Sequence, residues 1–218
     1  MNLAPPLEPQ RIDPQVGGGI NLPNRLTISR FLLTVAFVAA LSIDSIPYKH
    51  TLALVLFVVA AITDYFDGEI ARRYSLITDF GRLMDPLVDK IMTASAFICL
   101  VPLKAIPAWV AIIVISREFL ITGLRLLAVS KGRILAAERI GKHKTSWQIA
   151  TVIYFLGLLS FWELSAHLNP HSSPYHALES AGLLWTYGGW AVSGIAIILT
   201  IYSGVGYIWK NRGVIETG

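Results

Sequence analysis

Six apolar runs separated by short polar connections occupy residues 26–209. They cover 26–43 (Arg30 near the start), 51–63, 83–103, 108–129 (Arg117, Glu118 and Arg125 inside), 145–162 and 183–209. Apolar residues follow one another within each run instead of alternating with polar ones, so the pattern predicts helices, not barrel strands. About 20 such residues cross a hydrocarbon core of about 30 Å. The expected fold is all-α and integral to the membrane, a bundle of six transmembrane helices. Residues 1–22 hold four prolines and the run Gly17–Gly18–Gly19, which reads as a flexible arm on the membrane surface. Residues 23–212 form one helical domain and 213–218 a short tail. Pro86 falls in the first turn of the third run, where a helix has no acceptor for the N–H that proline lacks.

Composition strengthens the membrane reading, because 54% of residues are hydrophobic and only 15% charged, too few to build a water-facing surface. The 18 Lys and Arg against 14 Asp and Glu leave a net charge of +4, which suits anionic headgroups. Its distribution fixes an orientation. Arg72, Arg73, Arg82, the basic connection with Lys131, Arg133, Arg139, Lys142 and Lys144, and then Lys210 and Arg212 fall on one face of a six-span bundle. Lys49 and Lys104 fall on the other, and the connection after the fifth run has no Lys or Arg. The positive-inside rule then puts both termini and the segment after the second run in the cytoplasm. With Arg11 as its only basic residue, the arm offers nothing to nucleic acid, and it ends without a secretory cleavage signature. Cys99 is the single cysteine, so no disulfide forms within the chain, and its place in an apolar run reads as packing. His167, His171 and His176 have no helical pairing and are interrupted by Pro170 and Pro174, so they read as a solvated loop and not a metal site.

Residues 64–89, DYFDGEIARRYSLITDFGRLMDPLVD, contain five aspartates, in a chain with 14 acidic residues in all. On helices, Asp64 and Asp67 lie about 60° apart and Asp85 and Asp89 about 40° apart, so each pair points one way. The spacing places the two pairs at the ends of the second and third spans. Brought together, four carboxylates repel one another unless cations neutralise them. All-oxygen ligation selects hard divalent ions, Mg²⁺ or Mn²⁺ with Ca²⁺ possible, and two ions shared by four aspartates is the natural stoichiometry. Capping is the alternative role for such residues, and Asp85 before Pro86 fits it. Asp64 and Asp67, at the C-terminal end of a span, do not, because the helix dipole there disfavours carboxylates. Gly68 and Gly81 let a ligand approach the backbone, and Arg72 and Arg73 suit phosphate oxygens. Together these features point to phosphoryl chemistry.

The stretch matches D-x2-D-G-x2-A-R-x8-G-x3-D-x3-D at every fixed position, and on that pattern the chain resembles the CDP-alcohol phosphotransferase family. Pro23-Asn24-x-Leu26-Thr27-x2-Arg30, Ser116-Arg117-Glu118, Gly123-Leu124-Arg125 and Gly141-Lys142-x-Lys144-Thr145-x2-Gln148 are similar to its bacterial phosphatidylglycerophosphate synthase branch. The resemblance implies a homodimeric six-helix bundle with a cytosol-facing polar cavity open to lipid, where two divalent cations bind the pyrophosphate of CDP-diacylglycerol. Asp64, Asp67 and Asp85 would ligate one ion and Asp64, Asp85 and Asp89 the other, with Asp89 also the general base. Gly68, Ala71, Arg72 and Gly81 would receive the CDP moiety. The acceptor it implies is sn-glycerol 3-phosphate, whose phosphate needs a second basic pocket. Arg117, Arg125, Lys142 and Lys144 are the candidates for it, with Arg30 a weaker one, and a plain positive-inside role stays open for the two lysines. An ion pair of Arg117 with Glu118 is disfavoured, since adjacent helical residues point about 100° apart.

Three other readings remain. The same donor chemistry serves an inositol phosphate or phosphatidylglycerol acceptor. A membrane prenyltransferase would carry two separate aspartate clusters. A divalent-cation transporter would place carboxylates near the bilayer midplane on broken helices.

Overall fold

Each apolar run folds as a helix in the computed structural model, which describes residues 22–74, 79–131, 140–168 and 182–212, with side chains at 27–64, 87–131, 143–166 and 182–212. The helices are α1 (Leu22–Ser42), α2 (Lys49–Tyr74), α3 (Asp79–Leu100), α4 (Ala108–Ser130), α5 (Ile140–Leu168) and α6 (Gly189–Lys210). One π-helical turn, Leu184–Gly188, leads into α6. The N-terminal arm, the histidine-bearing loop after Leu168 and the C-terminal tail lie outside the described residues.

Two expectations need correction. The second helix does not end where its apolar run ends. It continues through Asp64 and Asp67 to Tyr74, because Glu69, Ala71, Arg72 and Arg73 are good helix formers and only hydrophobicity stops at the aspartates. Asp64 and Asp67 therefore sit inside a helix, away from the unfavourable C-terminal dipole. The third helix likewise begins at Asp79, so Pro86 lies beyond its first turn and Asp85 is not a terminal cap.

α1 packs on α2 and α3, α5 on α2, α3 and α6, and α4 on α3 and α6. Phe37 and Phe57 meet with ring centroids 5.7 Å apart, and the main core adds Met92, Phe97, Val110, Val114, Phe155 and Leu156. Cys99 packs half-buried against this core. A smaller cluster of Ile121, Leu124, Ala128 and Tyr207 closes the other end of the α4–α6 pair. α6 buries a helical stripe of Gly189, Ser193, Ala196, Ile197, Thr200, Ser203, Gly204 and Tyr207. Small residues there bring backbones close, the usual means of helix association in lipid. At Gly189 a Cβ would stand 2.7 Å from the Phe155 ring, so this contact between α5 and α6 requires glycine.

Burial runs opposite to that of a water-soluble domain. Arg30, Lys144, Gln148 and Thr200 are buried, while Leu32, Ile112, Phe119, Leu126, Phe161, Ile198 and Trp209 face outward. Hydrocarbon as the surrounding solvent accounts for both. His143–Ala166 and Leu184–Lys210 are long and apolar enough to cross a membrane, and Thr27–Ser42 is a shorter apolar helix. Hydroxyls inside the helices are satisfied locally, with Thr34 donating to the Arg30 carbonyl at 2.9 Å and Thr151 to that of Trp147 at 2.8 Å.

Glu163 of α5 caps the first turn of α2. Its carboxylate accepts from the Thr51 backbone N–H at 2.9 Å, the Thr51 hydroxyl at 2.8 Å and the His50 N–H at 3.3 Å. The first N–H groups of a helix have no acceptor within it, and here a neighbouring helix supplies one. Glu163→Ala should lower stability by about 1–3 kcal/mol, the cost of leaving such donors unmet, read as a fall in the thermal midpoint of the purified protein in detergent.

Candidate active site

Helical register organises the aspartate stretch. Asp64, Gly68 and Ala71 share a face of α2 with Asp67 beside it, and Gly81, Asp85 and Asp89 share a face of α3. The backbone positions of Asp67, Gly68, Ala71, Arg72, Gly81, Asp85 and Lys142 lie in α2, α3 and the first turn of α5. Their side chains are outside the described residues. Among the described side chains there is no group of three potential metal ligands, but this group excludes Asp67 and Asp85.

Arg30 does not join the other basic candidates. Only 2% exposed, it reaches from α1 to place Nη1 2.5 Å from Oδ1 of Asp64, whose side chain is 41% exposed. α1 packs on both α2 and α3, so Arg30 reaches across to fix the Asp64 carboxylate. Asp64 and Asp89 also lie close enough for their charges to act on one another. Two mutually repelling carboxylates, one of them held by a buried guanidinium, form an all-oxygen donor set suited to a hard divalent cation.

Among the described side chains, Arg117, Arg125 and Lys144 contribute to a polar layer beside the smaller apolar cluster. Arg117 donates from Nη2 to the Ser203 hydroxyl at 3.1 Å, and Arg125 from Nε to the Tyr207 hydroxyl at 3.1 Å, its guanidinium 5.4 Å from the centre of that ring. Lys144, 4% exposed, pairs with Glu118, and Gln148 one turn further along α5 donates to Thr200 at 3.0 Å. Arg117 and Glu118 do make contact, at 3.4 Å, against the expectation from adjacent positions. The length of that contact reflects their divergent directions, and Lys144 is the nearer partner of Glu118. Gly204 makes room for Arg117, since a Cβ there would lie 3.1 Å from the arginine Cγ.

Lys144 feels the charges of Arg117, Asp89 and Lys90, and Asp89 those of Asp64, Arg30, Lys90 and Lys144. Asp89 therefore lies within reach of one carboxylate, Asp64, and of three cations, Arg30, Lys90 and Lys144. Reading along the sequence did not assign Lys90, Thr122, Thr200, Ser203 or Tyr207 to a site. The available signal was polar residues inside apolar helices, with Thr200, Ser203 and Tyr207 recurring at helical spacing.

Arg30→Leu should leave Asp64 without its buried partner. The expected loss is about 1–3 kcal/mol, at the low end for ion pairs because Asp64 is partly exposed. Thermal unfolding in detergent measures it, and Arg30→Lys should retain part of the stability.

A family model described as CDP-alcohol phosphatidyltransferase matches residues 20–202. The chain is 36% identical over 208 residues to a Bacillus subtilis protein named CDP-diacylglycerol–glycerol-3-phosphate 3-phosphatidyltransferase, covering 90% of this chain and 98% of that one. A Rickettsia bellii protein of the same name is 34% identical over 188 residues, covering 86% and 93%. A Mycobacterium tuberculosis protein named probable phosphatidylglycerophosphate synthase is 33% identical over 190 residues, covering 86% and 80%.

Proposed function

Because the chain belongs to the CDP-alcohol phosphatidyltransferase family, we infer that it is a membrane transferase of phospholipid synthesis that moves the phosphatidyl group of CDP-diacylglycerol to sn-glycerol 3-phosphate. CMP and phosphatidylglycerophosphate are the products. The observation that carries this reading is the gathering around Asp89 of one carboxylate, Asp64, held by the buried Arg30, and of the cations Lys90 and Lys144. Such a site holds a pyrophosphate-bearing donor and a phosphate-bearing acceptor against one base. The names of the relatives, which specify glycerol 3-phosphate, favour this acceptor over an inositol phosphate or phosphatidylglycerol.

In this mechanism Asp89 accepts the proton of the acceptor's primary hydroxyl. The freed oxygen attacks the lipid-linked phosphorus, a new P–O bond forms, and the P–O bond to CMP breaks. Asp64, Asp67, Asp85 and Asp89 would hold two divalent cations, Mg²⁺ or Mn²⁺, which when bound supply positive charge to the pyrophosphate and the departing CMP. Arg30 fixes the orientation of Asp64. Gly68, Ala71, Arg72 and Gly81 line the face on which the CDP moiety lies. Arg117, Arg125, Lys142 and Lys144 take the acceptor phosphate, with Glu118 limiting repulsion among them before the substrate arrives.

All six helices crossing the bilayer, a polar cavity open to the cytoplasm, cytoplasmic termini in a bacterial inner membrane, and a homodimer belong to the same reading. Its supports are the outward-facing apolar side chains, the charge asymmetry of the connections and the family resemblance.

Purified protein given CDP-diacylglycerol and Mg²⁺ should release CMP only when glycerol 3-phosphate is present, and chelation by EDTA should abolish release. Dependence on inositol phosphate or phosphatidylglycerol instead would refute the acceptor. Asp89→Asn should lower kcat by at least about a hundredfold, the usual range for loss of a general base, while CDP-diacylglycerol still binds. Turnover equal to that of the parent protein would remove Asp89 as the base.

A further inference from the structure

Lys90 is the one cation of the polar layer that the mechanism above leaves without a task. It follows Asp89 directly in α3, and about 100° per residue turns it off the aspartate face. That rotation directs it to α4, where its ammonium donates to the hydroxyl of Thr122. The Thr122 hydroxyl in turn donates to the Glu118 carbonyl at 2.7 Å, which leaves its lone pairs facing Lys90. The charges acting on Lys90 are those of Arg125, Asp89 and Arg117. No carboxylate of the described residues lies within ion-pair distance of it.

Lys90 is half-buried where the apolar part of α3 begins, with the Asp89 charge acting on it, and the single hydroxyl of Thr122 does not neutralise its ammonium. Two arginines nearby add repulsion to it. An arrangement of this kind becomes favourable when a doubly charged anion arrives. Glycerol 3-phosphate carries its attacking hydroxyl and its phosphate on the two ends of a three-carbon chain. With the hydroxyl at Asp89, the phosphate comes to rest within one small molecule's length of it. Among the cations of the layer, Lys90 is the neighbour of Asp89 in the chain, and its contact with Thr122 places it about one turn of α4 from Arg125.

We propose that Lys90 is an acceptor-phosphate ligand, bridging the base Asp89 to the arginines of α4 and selecting an acceptor with a phosphate three carbons from its hydroxyl. Thr122 holds the ammonium until the phosphate replaces it. This proposal rests on the transferase reading above and adds a residue to its acceptor site.

The test uses the full-length protein in detergent with CDP-diacylglycerol, glycerol 3-phosphate and Mg²⁺, comparing the parent with Lys90→Met, Lys90→Arg, Arg117→Ala and Arg125→Ala. Lys90→Met should raise KM for glycerol 3-phosphate about tenfold or more, as expected on losing a charged hydrogen bond. KM for CDP-diacylglycerol and the half-saturating Mg²⁺ should stay within about twofold, by the same reasoning that the donor side keeps its contacts. Lys90→Arg should recover part of the loss, and calorimetry should show weaker glycerol 3-phosphate binding to Lys90→Met without turnover. A KM for glycerol 3-phosphate that does not change, or a matching rise in the donor KM or Mg²⁺ requirement, overturns the assignment. If the arginine variants raise that KM and Lys90→Met does not, Lys90 alone is wrongly assigned. If none of the variants does, the acceptor pocket itself is misplaced and the proposal falls with it. Should Lys90→Met fail to fold, Lys90→Gln keeps a polar, uncharged end on a slightly shorter side chain and carries the same readouts.

Discussion

Charges carried on apolar helices are settled largely by one another, because hydrocarbon offers them no partner. That constraint accounts for most of the polar contacts here. Arg30 holds Asp64, Lys144 pairs with Glu118, Arg117 and Arg125 rest on hydroxyls of α6, and Glu163 meets the free N–H groups of α2. Each pairing joins different helices, so the interactions that settle the charges also fix how the helices stand relative to one another.

The same pairings bring both signs of charge together across helices. Asp64 of α2 and Asp89 of α3 lie near Arg30, Lys90 and Lys144, and Glu118 of α4 pairs with Lys144 beside Arg117. A phosphoryl donor with a bridging pyrophosphate and an acceptor with a terminal phosphate are both anionic, and they would repel each other in a site of low dielectric. In the proposed reaction, separate positive counter-charges, from metal ions and from side chains, would let the two approach. α6 contributes no charge to this layer within its buried stripe. It supplies close packing through small residues and hydroxyls that orient the two arginines of α4.

Apolar packing accompanies the layer. The large core is built around Phe37, Phe57, Phe97 and Phe155, and the cluster around Ile121, Leu124 and Tyr207 lies beside the layer. Tyr207 belongs to both the smaller cluster and the polar layer, its ring buried and its hydroxyl accepting from Arg125. An amphipathic side chain at that junction joins packing to charge placement in one residue.

The sequence by itself determined the six helices and the aspartate register, since hydropathy over about 20 residues and the 3.6-residue period are local properties. It also identified the family, because the aspartate pattern is contiguous. It misjudged where α2 ends and α3 begins, as the apolar run stops at Asp64 while helix-forming residues carry α2 on to Tyr74. Only the tertiary structure separated Arg30 from the other basic candidates, joined Lys144 to Glu118, and brought Lys90, Ser203 and Tyr207 into the polar layer. Those assignments depend on which faces of distant helices meet. Residue spacing fixes a face on its own helix, and the partner across the interface is chosen by the packing of the whole bundle.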